Sequence, residues 1–196
     1  MSLAEISTIL AGLTFAVSSI LYVKDTIEAK ITPSIATFGI LTIVNFSQLI
    51  ALISKEVWHV VPFTTVGFLQ ALIVLIVAIK GGRFYFRLVD LIAVIGAVIG
   101  FVLWLTHQDA AYNIYILNAV IAITFIPLIT KAFREPALET RLPWQSNLLA
   151  SIFLLFTITS TAPYVWIVPV RQFLCSLLVN IGISLPNPVK KSRRFS

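Results

Sequence analysis

The chain has 196 residues, of which 59% are hydrophobic and 11% are charged, and its net charge is +6. Soluble domains carry about a quarter charged residues, so this composition excludes an ordinary soluble globular protein. The basic residues lie between long apolar runs, where membrane topology places them, and the positive charge therefore does not indicate a nucleic-acid partner.

Seven apolar runs follow one another along the chain, each close to the length of about 20 residues that crosses a bilayer core. The first run has no preceding Lys or Arg, so it is interpreted as a retained span and not as a signal peptide. Pro163 and Pro169 disfavour a single long helix near the C-terminus, and a tight turn at 161–163 is predicted instead. We therefore predict an all-α integral membrane protein with seven transmembrane helices, at 4–23, 35–54, 58–79, 88–106, 111–130, 145–162 and 164–184.

The distribution of Lys and Arg supports this assignment. With seven spans, the N-terminus and the second, fourth and sixth loops share one side of the membrane and contain a single basic residue, Lys55. The loops of the other side and the tail, 185–196, contain twelve. Basic residues accumulate on the cytoplasmic side. The sequence therefore predicts a multi-pass protein of a cell or inner membrane, with its N-terminus outside and its C-terminus in the cytoplasm.

The two halves of the chain share a plan. Residues 30–37 and 134–140 each contain Pro-x-x-x-Thr in a charged loop before the second span of a half. The predicted bundle, 1–184, divides into a first repeat, 4–79, a linker helix, 88–106, and a second repeat, 111–184. A single linker helix between the two three-helix repeats lets both repeats cross the membrane in the same direction. Parallel repeats of this kind occur in transporters, whose sites lie between the halves near the midplane.

A short segment at the end of the predicted fifth span resembles a known motif. The sequence Phe-Ile-Pro-Leu-Ile-Thr-Lys-Ala-Phe, at 125–133, resembles the PQ-loop motif of the superfamily that includes the SWEET sugar transporters and their half-size bacterial relatives. Leu128 stands where Gln is usual there, and the comparable segment 22–25 lacks both Pro and Gln. The resemblance implies a transporter with the same 3+1+3 arrangement, and it implies a hinge role for Pro127.

Polar side chains at membrane depth are costly and usually face the interior of a bundle or a cavity. One interpretation is a pocket for a small polar solute, and the alternative is hydrogen bonding between helices. Asn180 and six candidate substrate-binding residues lie in the predicted spans. The six candidates are Asn45, Gln48, Gln70, Asn118, Asn147 and Arg171.

Arg171 is the most informative of these candidates. It lies eight residues after Pro163, which is roughly 12 Å along a helix and close to the bilayer midplane. Burying an Arg there costs at least about 2.5–3.5 kcal/mol on insertion scales. We expect Pro169 to act as a hinge and to break the helix, so that a restarted N-terminal end adds positive potential beside Arg171. This arrangement predicts a site for an anionic group, and the alternative is that Arg171 lies in outer headgroups.

Other patterns bear on the remaining function classes. No zinc-protease, nucleophile-elbow, phosphate-loop or Cys-x-x-Cys motif is present, so we expect neither enzymatic activity nor a cofactor. His59, His107 and Asp109 lack the spacing of a metal site. Gly96-x-x-x-Gly100 permits close helix packing, either within the bundle or in a homo-oligomer.

One ion pair and the positions of three Trp residues are also expected. Asp90 is expected to pair with Arg87. Trp58, Trp144 and Trp166 are expected in the interfacial belt.

Together, these patterns favour a transporter or facilitator of a small polar or anionic solute. The alternative is a non-transporting receptor, scaffold or subunit of a membrane complex.

Overall fold

The computed structural model describes residues 1–82, 88–106 and 109–185. Within these ranges the chain forms seven α-helices and one short 3₁₀ helix, with no β-strand. The α-helices are α1 (Leu3–Ile27), α2 (Ile35–Ser54), α3 (Val61–Gly81), α4 (Leu88–Thr106), α5 (Ala110–Arg134), α6 (Arg141–Leu155) and α7 (Pro163–Ser184), and the 3₁₀ helix, Pro136–Leu138, precedes α6. The all-helical prediction is confirmed.

Several helices begin where the sequence supplies a cap. Ser2 and Glu5 form a capping box at α1, with the Ser2 hydroxyl accepting from the Glu5 N–H at 3.2 Å and Glu5 accepting from the Ser2 N–H at 2.8 Å. The side chains of Ser34 and Asp109 accept from backbone N–H groups in the first turns of α2 and α5. Side-chain oxygens at these positions satisfy donors that have no partner within the helix.

Five helices, α1, α2, α3, α5 and α7, are long and apolar enough to cross a membrane. Their outward faces carry large exposed apolar side chains, such as Leu13, Ile20, Ile43, Ile79 and Leu174. Soluble monomers rarely expose apolar surface on this scale. The helices therefore indicate a membrane-embedded protein.

The predicted sixth span, 145–162, is wrong in its extent. Helix α6 has only 15 residues and ends at Leu155, which makes it about 22 Å long. The chain then runs through 156–162 without helix, so the tight turn predicted at 161–163 is also wrong. The sequence Thr-Ile-Thr-Ser-Thr, at 157–161, explains the early end, because hydroxyl-bearing and β-branched side chains compete with or crowd the helical backbone. The Thr157 hydroxyl, for example, donates to the Leu154 carbonyl at 2.7 Å.

The helices pack in two sets of three. Helix α3 packs against both α1 and α2, and α7 packs in the same way against both α5 and α6. The two sets meet through α1 against α6 and α2 against α5, while α4 packs mainly on α5. This arrangement encloses a centre to which six of the helices contribute.

Small residues permit the closest helix crossings. A Cβ added at Gly182 of α7 would lie 3.0 Å from backbone atoms of Ala132 and Phe133, so α7 and α5 approach closely there. A Cβ added at Gly96 of α4 would lie 3.0 Å from the side chain of Ile123 in α5. Gly96 therefore contributes to packing within the bundle.

Candidate functional site

A cavity of about 60 Å³ lies at the centre of the bundle, between the two sets of helices. At about 30 Å³ per water, this volume corresponds to about two water molecules. Among the described residues, its lining comes from α1, α2, α3, α5, α6 and α7. The polar and charged lining residues are Tyr22, Asn45, Gln48, Thr64, Gln70, Asn147, Arg171 and Gln172, and the walls include Phe15, Phe38, Phe63, Phe125 and Trp144.

One side of the cavity carries a connected hydrogen-bond network. The Arg171 Nε donates to the side-chain oxygen of Asn118 at 2.7 Å, and its Nη1 donates to that of Gln172 at 3.2 Å. The Gln172 amide nitrogen then donates to the Asn147 oxygen at 3.1 Å. Asn118 also donates to the Ile114 carbonyl at 2.7 Å, which fixes the orientation of its amide. The network joins α5, α6 and α7 and holds the guanidinium in place.

The part of the lining that comes from α2 and α3 carries amides without such a network. Asn45 and Gln48 of α2 and Gln70 of α3 line the cavity, and their side chains form no hydrogen bond within the described ranges. Gln48 has no exposed surface. Leaving a buried amide without partners costs about 1–3 kcal/mol, so Gln48 is the clearest candidate for contact with a bound molecule.

The structure brings five of the six predicted residues to one cavity. Asn45, Gln48, Gln70, Asn147 and Arg171 all line it. The sixth, Asn118, lies behind Arg171 and bonds to it. Arg171 therefore faces the interior of the bundle.

The two predicted hinge prolines lie inside continuous helices. Pro127 is buried within α5 and Pro169 within α7. The expected break after Pro169 is wrong, because α7 runs from Pro163 to Ser184 without interruption. Because α7 is continuous there, no restarted helix N-terminus adds positive potential beside Arg171. A proline in a helix still lacks the N–H that would bond to the carbonyl four residues earlier.

A second polar cluster lies where the α1–α2 and α5–α6 connections meet, here called the basic end. The Lys131 ammonium pairs with the Glu139 carboxylate, and both side chains are buried. Lys131 also donates to the Thr32 carbonyl at 2.9 Å, and the Trp144 indole donates to Glu139 at 3.0 Å. Trp144 is only 5% exposed, so its expected place in the interfacial belt is wrong. It joins this cluster to the cavity that it lines.

Two other polar residues form hydrogen bonds within the protein. Asn180 donates to the Trp144 carbonyl and to the Ser176 carbonyl, both at 2.8 Å, as the interhelical interpretation predicts. The Asp90 carboxylate is buried and accepts from the Ser34 hydroxyl at 2.8 Å. The predicted partner of Asp90, Arg87, lies outside the described residues.

The opposite end of the bundle is more exposed. Lys55 and Asp109 form an ion pair at 3.1 Å that joins the α2–α3 and α4–α5 connections. The Ala111 N–H and the Lys55 ammonium hold the pKa of Asp109 below its usual value. Burial lowers the pKa of His59, which lies between α2 and α3. His107, Gly100 as a packing surface, and the tail beyond Leu185 fall outside the described residues.

Sequence reasoning missed two contributors to the site. Gln172 lies next to Arg171 and is buried between it and Asn147. The criterion that selected the other amides, a polar side chain at membrane depth, applies equally to Gln172. Trp144 carried no such signal, because a Trp near a helix end is also typical of the membrane interface.

Comparison of the chain with family models, with curated proteins and with solved structures finds no match.

Proposed function

We propose that the protein is a transporter or facilitator of a small polar solute, which binds in the central cavity. The supporting observation is the cavity itself, since polar side chains from both sets of three helices surround it. Polar groups are costly in a membrane unless they serve packing or a pathway. The amides of α2 and α3 form no side-chain bonds within the described ranges and are available to a solute.

The packing supports the proposed 3+1+3 repeat, with seven spans and the PQ-loop-like family as its framework. Exchanging α1, α2 and α3 with α5, α6 and α7, respectively, maps the contacts of each helix onto those of its counterpart. The contacts α1–α3, α2–α3 and α1–α6 thus correspond to α5–α7, α6–α7 and α5–α2. None of the described residues of α4 lines the cavity, as expected of a linker. Such repeats place the solute site at their interface.

The alternative, a non-transporting receptor, scaffold or subunit, predicts a centre closed by internal hydrogen bonds. The network of Arg171, Gln172, Asn118 and Asn147 meets that description on one side. Gln48 does not, since both of its amide atoms are buried without a partner in the described part of the chain. This residue favours the transport proposal.

The proposal is tested by blocking the cavity in purified protein reconstituted into liposomes. Gly67 lines the cavity, and a Cβ there would lie 3.4 Å from Phe15 and 3.8 Å from the Asn45 amide. Gly67→Leu should therefore fill the cavity and abolish uptake of labelled three-carbon polar solutes. The matched control is Gly39→Leu in α2, where a Cβ meets nothing within 4 Å. Equal uptake by Gly67→Leu and the wild type, or no uptake by any protein, would contradict the proposal.

We further propose that the basic end faces the cytoplasm, with the N-terminus outside and the C-terminus inside. The excess of basic residues in the loops of that end supports this orientation. A cysteine at Gly82 should react only from the cytoplasmic side and a cysteine at Lys55 only from outside, in a background with Cys175→Ala. A homo-oligomer is a separate proposal, in which Gly96 would take no part because it packs against Ile123 within the bundle. The mass of the purified protein in detergent tests it.

A further inference from the structure

The charge inside the cavity is unbalanced. Arg171 is the only charged side chain among the described residues that line the cavity, and it forms no ion pair within the described ranges. A guanidinium has five N–H donors. Arg171 uses two of them, toward the neutral amides of Asn118 and Gln172. The remaining donors and the positive charge are open to a bound anion.

A second and independent feature points into the same space. Gln48 lines the cavity from α2, is fully buried, and has no hydrogen-bond partner for either amide atom within the described ranges. A ligand with an oxygen acceptor and a hydroxyl or carbonyl group would satisfy the Gln48 amide while its charge neutralises Arg171. Because the two residues lie on opposite sets of helices, one ligand would bridge the two halves of the bundle.

The size and walls of the cavity restrict the ligand further. A cavity volume of about 60 Å³ restricts the ligand to a small compound. Phe15 and Phe63 stack with ring centroids 4.1 Å apart, and Trp144 packs edge-on to Tyr22 at 5.9 Å, so part of the wall is aromatic. The described lining has no carboxylate to hold an ammonium group and no second cation for a dianion.

From these features we infer that the cavity takes a short-chain monocarboxylate, whose carboxylate binds Arg171 and whose polar substituent bonds to Gln48. This inference rests on the proposed transport function and names its class of substrate. Arg–carboxylate bonds are charge-assisted and roughly twice as strong as neutral hydrogen bonds. The arrangement therefore selects an anion over a neutral compound of the same shape.

Three ligands with the same carbon skeleton test the inference: lactate, its neutral analogue lactamide, and the zwitterion alanine. Binding to the purified wild-type protein is measured by thermal shift and calorimetry. Lactate should bind at least about tenfold more tightly than lactamide or alanine, because only lactate matches the charge of the site. Equal binding of lactate and lactamide would overturn the inference, and so would tighter binding of nitrate than of lactate, which would indicate an inorganic anion.

Variants of the cation supply the second measurement. Arg171→Gln should lower the affinity for lactate at least about tenfold and make it equal to the affinity for lactamide. Arg171→Lys keeps the charge and should retain part of the preference for lactate, which a merely structural role of Arg171 would not predict. If Arg171→Gln binds lactate as the wild type does, the assignment of Arg171 is wrong.

Uptake into liposomes separates this inference from the proposed function. Saturable uptake of lactate, lost in Arg171→Gln, supports both. Uptake of lactamide without lactate would leave transport standing and overturn the anion inference. Binding of lactate without any uptake would support the anion site and overturn transport, and neither binding nor uptake of any of the three compounds would overturn both.

Discussion

Two cations inside this bundle have opposite surroundings. Lys131, at the basic end, pairs with the buried carboxylate of Glu139 and donates to the Thr32 carbonyl. Arg171, in the cavity, has only neutral amides as partners within the described part of the chain. A buried charge must be compensated, because its removal from water costs several kcal/mol. The protein itself supplies the counter-ion of Lys131, which is Glu139. The charge of Arg171 has no counter-ion within the described residues.

This difference separates a structural charge from a functional one. The Lys131 cluster ties the α1–α2 connection to α5 and, through Glu139 and Trp144, to α6. It thereby joins the two halves of the bundle next to the cavity. Arg171 is oriented by Asn118 and Gln172 but not neutralised by them. The Lys131–Glu139 pair therefore stabilises one conformation of the protein, whereas the charge of Arg171 favours binding of an anion.

The largest expected effect comes from breaking the Lys131–Glu139 pair. Glu139→Gln removes the carboxylate that pairs with the buried Lys131 ammonium, which should lower the free energy of unfolding by about 3–5 kcal/mol. Unfolding in detergent, followed by circular dichroism, measures the loss. The double variant Lys131→Met, Glu139→Gln should be more stable than either single variant, because it removes both charges together.

The matched control for this pair lies in the α1–α2 connection, where Lys30 pairs with Glu28 at the surface. Glu28→Gln should leave the unfolding midpoint almost unchanged, since exposed ion pairs contribute little. A double variant at 131 and 139 that is as unstable as the sum of its singles would show that the two charges do not interact.

The next effect distinguishes the two buried glutamines. Gln48→Leu removes a buried amide that has no partner in the described ranges, so it should raise the free energy of unfolding of the ligand-free protein by about 1–2 kcal/mol. Gln172→Leu removes an amide that accepts from Arg171 and donates to Asn147, and it should lower the same quantity by a similar amount. Thermal unfolding of both variants without ligand tests the contrast, and destabilisation by both would contradict it.

A smaller effect is expected for Arg171→Gln on stability, in contrast to its effect on binding. Removing a charge from the membrane interior relieves about 2.5–3.5 kcal/mol. Loss of the Arg171 bond leaves the Asn118 oxygen without its donor, which costs about 1–3 kcal/mol. The two effects nearly cancel, so we expect the ligand-free variant to lie within about 1 kcal/mol of the wild type. A loss as large as that of Glu139→Gln would place Arg171 with Lys131 as a structural charge.

The sequence was sufficient for the helices whose ends carry strong local signals. Helix α2 begins and ends at the predicted residues 35 and 54, since Ser34 caps its start. Helix α6 was misjudged because hydrophobicity continues through Phe156 and Ile158, while hydroxyl-bearing residues end the helix at Leu155. The apolar content of a segment indicates burial in lipid. The end of a helix depends instead on side chains that compete for the backbone hydrogen bonds, and an average hydropathy does not include this effect.

The candidate site was predictable for a different reason. Polar residues are rare in apolar helices, so each one is a signal, and five of the six predicted residues line one cavity. The buried Lys131–Glu139 pair was not predictable, because a basic residue near a span end is also typical of a topology signal. Only the fold brings Glu139, eight residues later, back beneath Lys131. The continuity of α7 through Pro169 likewise depends on tertiary packing, which overrides the local tendency of proline to break a helix.

The smallest expected effect is at the Lys55–Asp109 pair of the opposite end, which is the exposed counterpart of Lys131–Glu139. The Ala111 N–H and Lys55 hold the pKa of Asp109 below its usual value of 3.8. Because the pKa is lowered in the folded state, the stabilisation is present above pH 3.8 and is lost as the pH falls through the folded-state pKa. Asp109→Asn keeps a capping oxygen for the Ala111 N–H and removes only the charge. The unfolding midpoint of the wild type should therefore exceed that of Asp109→Asn slightly near neutral pH, and the difference should disappear in acid and at about 1 M salt. A difference that grows as the pH falls would mean that folding raises the pKa of Asp109. The Lys55–Asp109 pair would then not be a weakly stabilising, exposed counterpart of Lys131–Glu139.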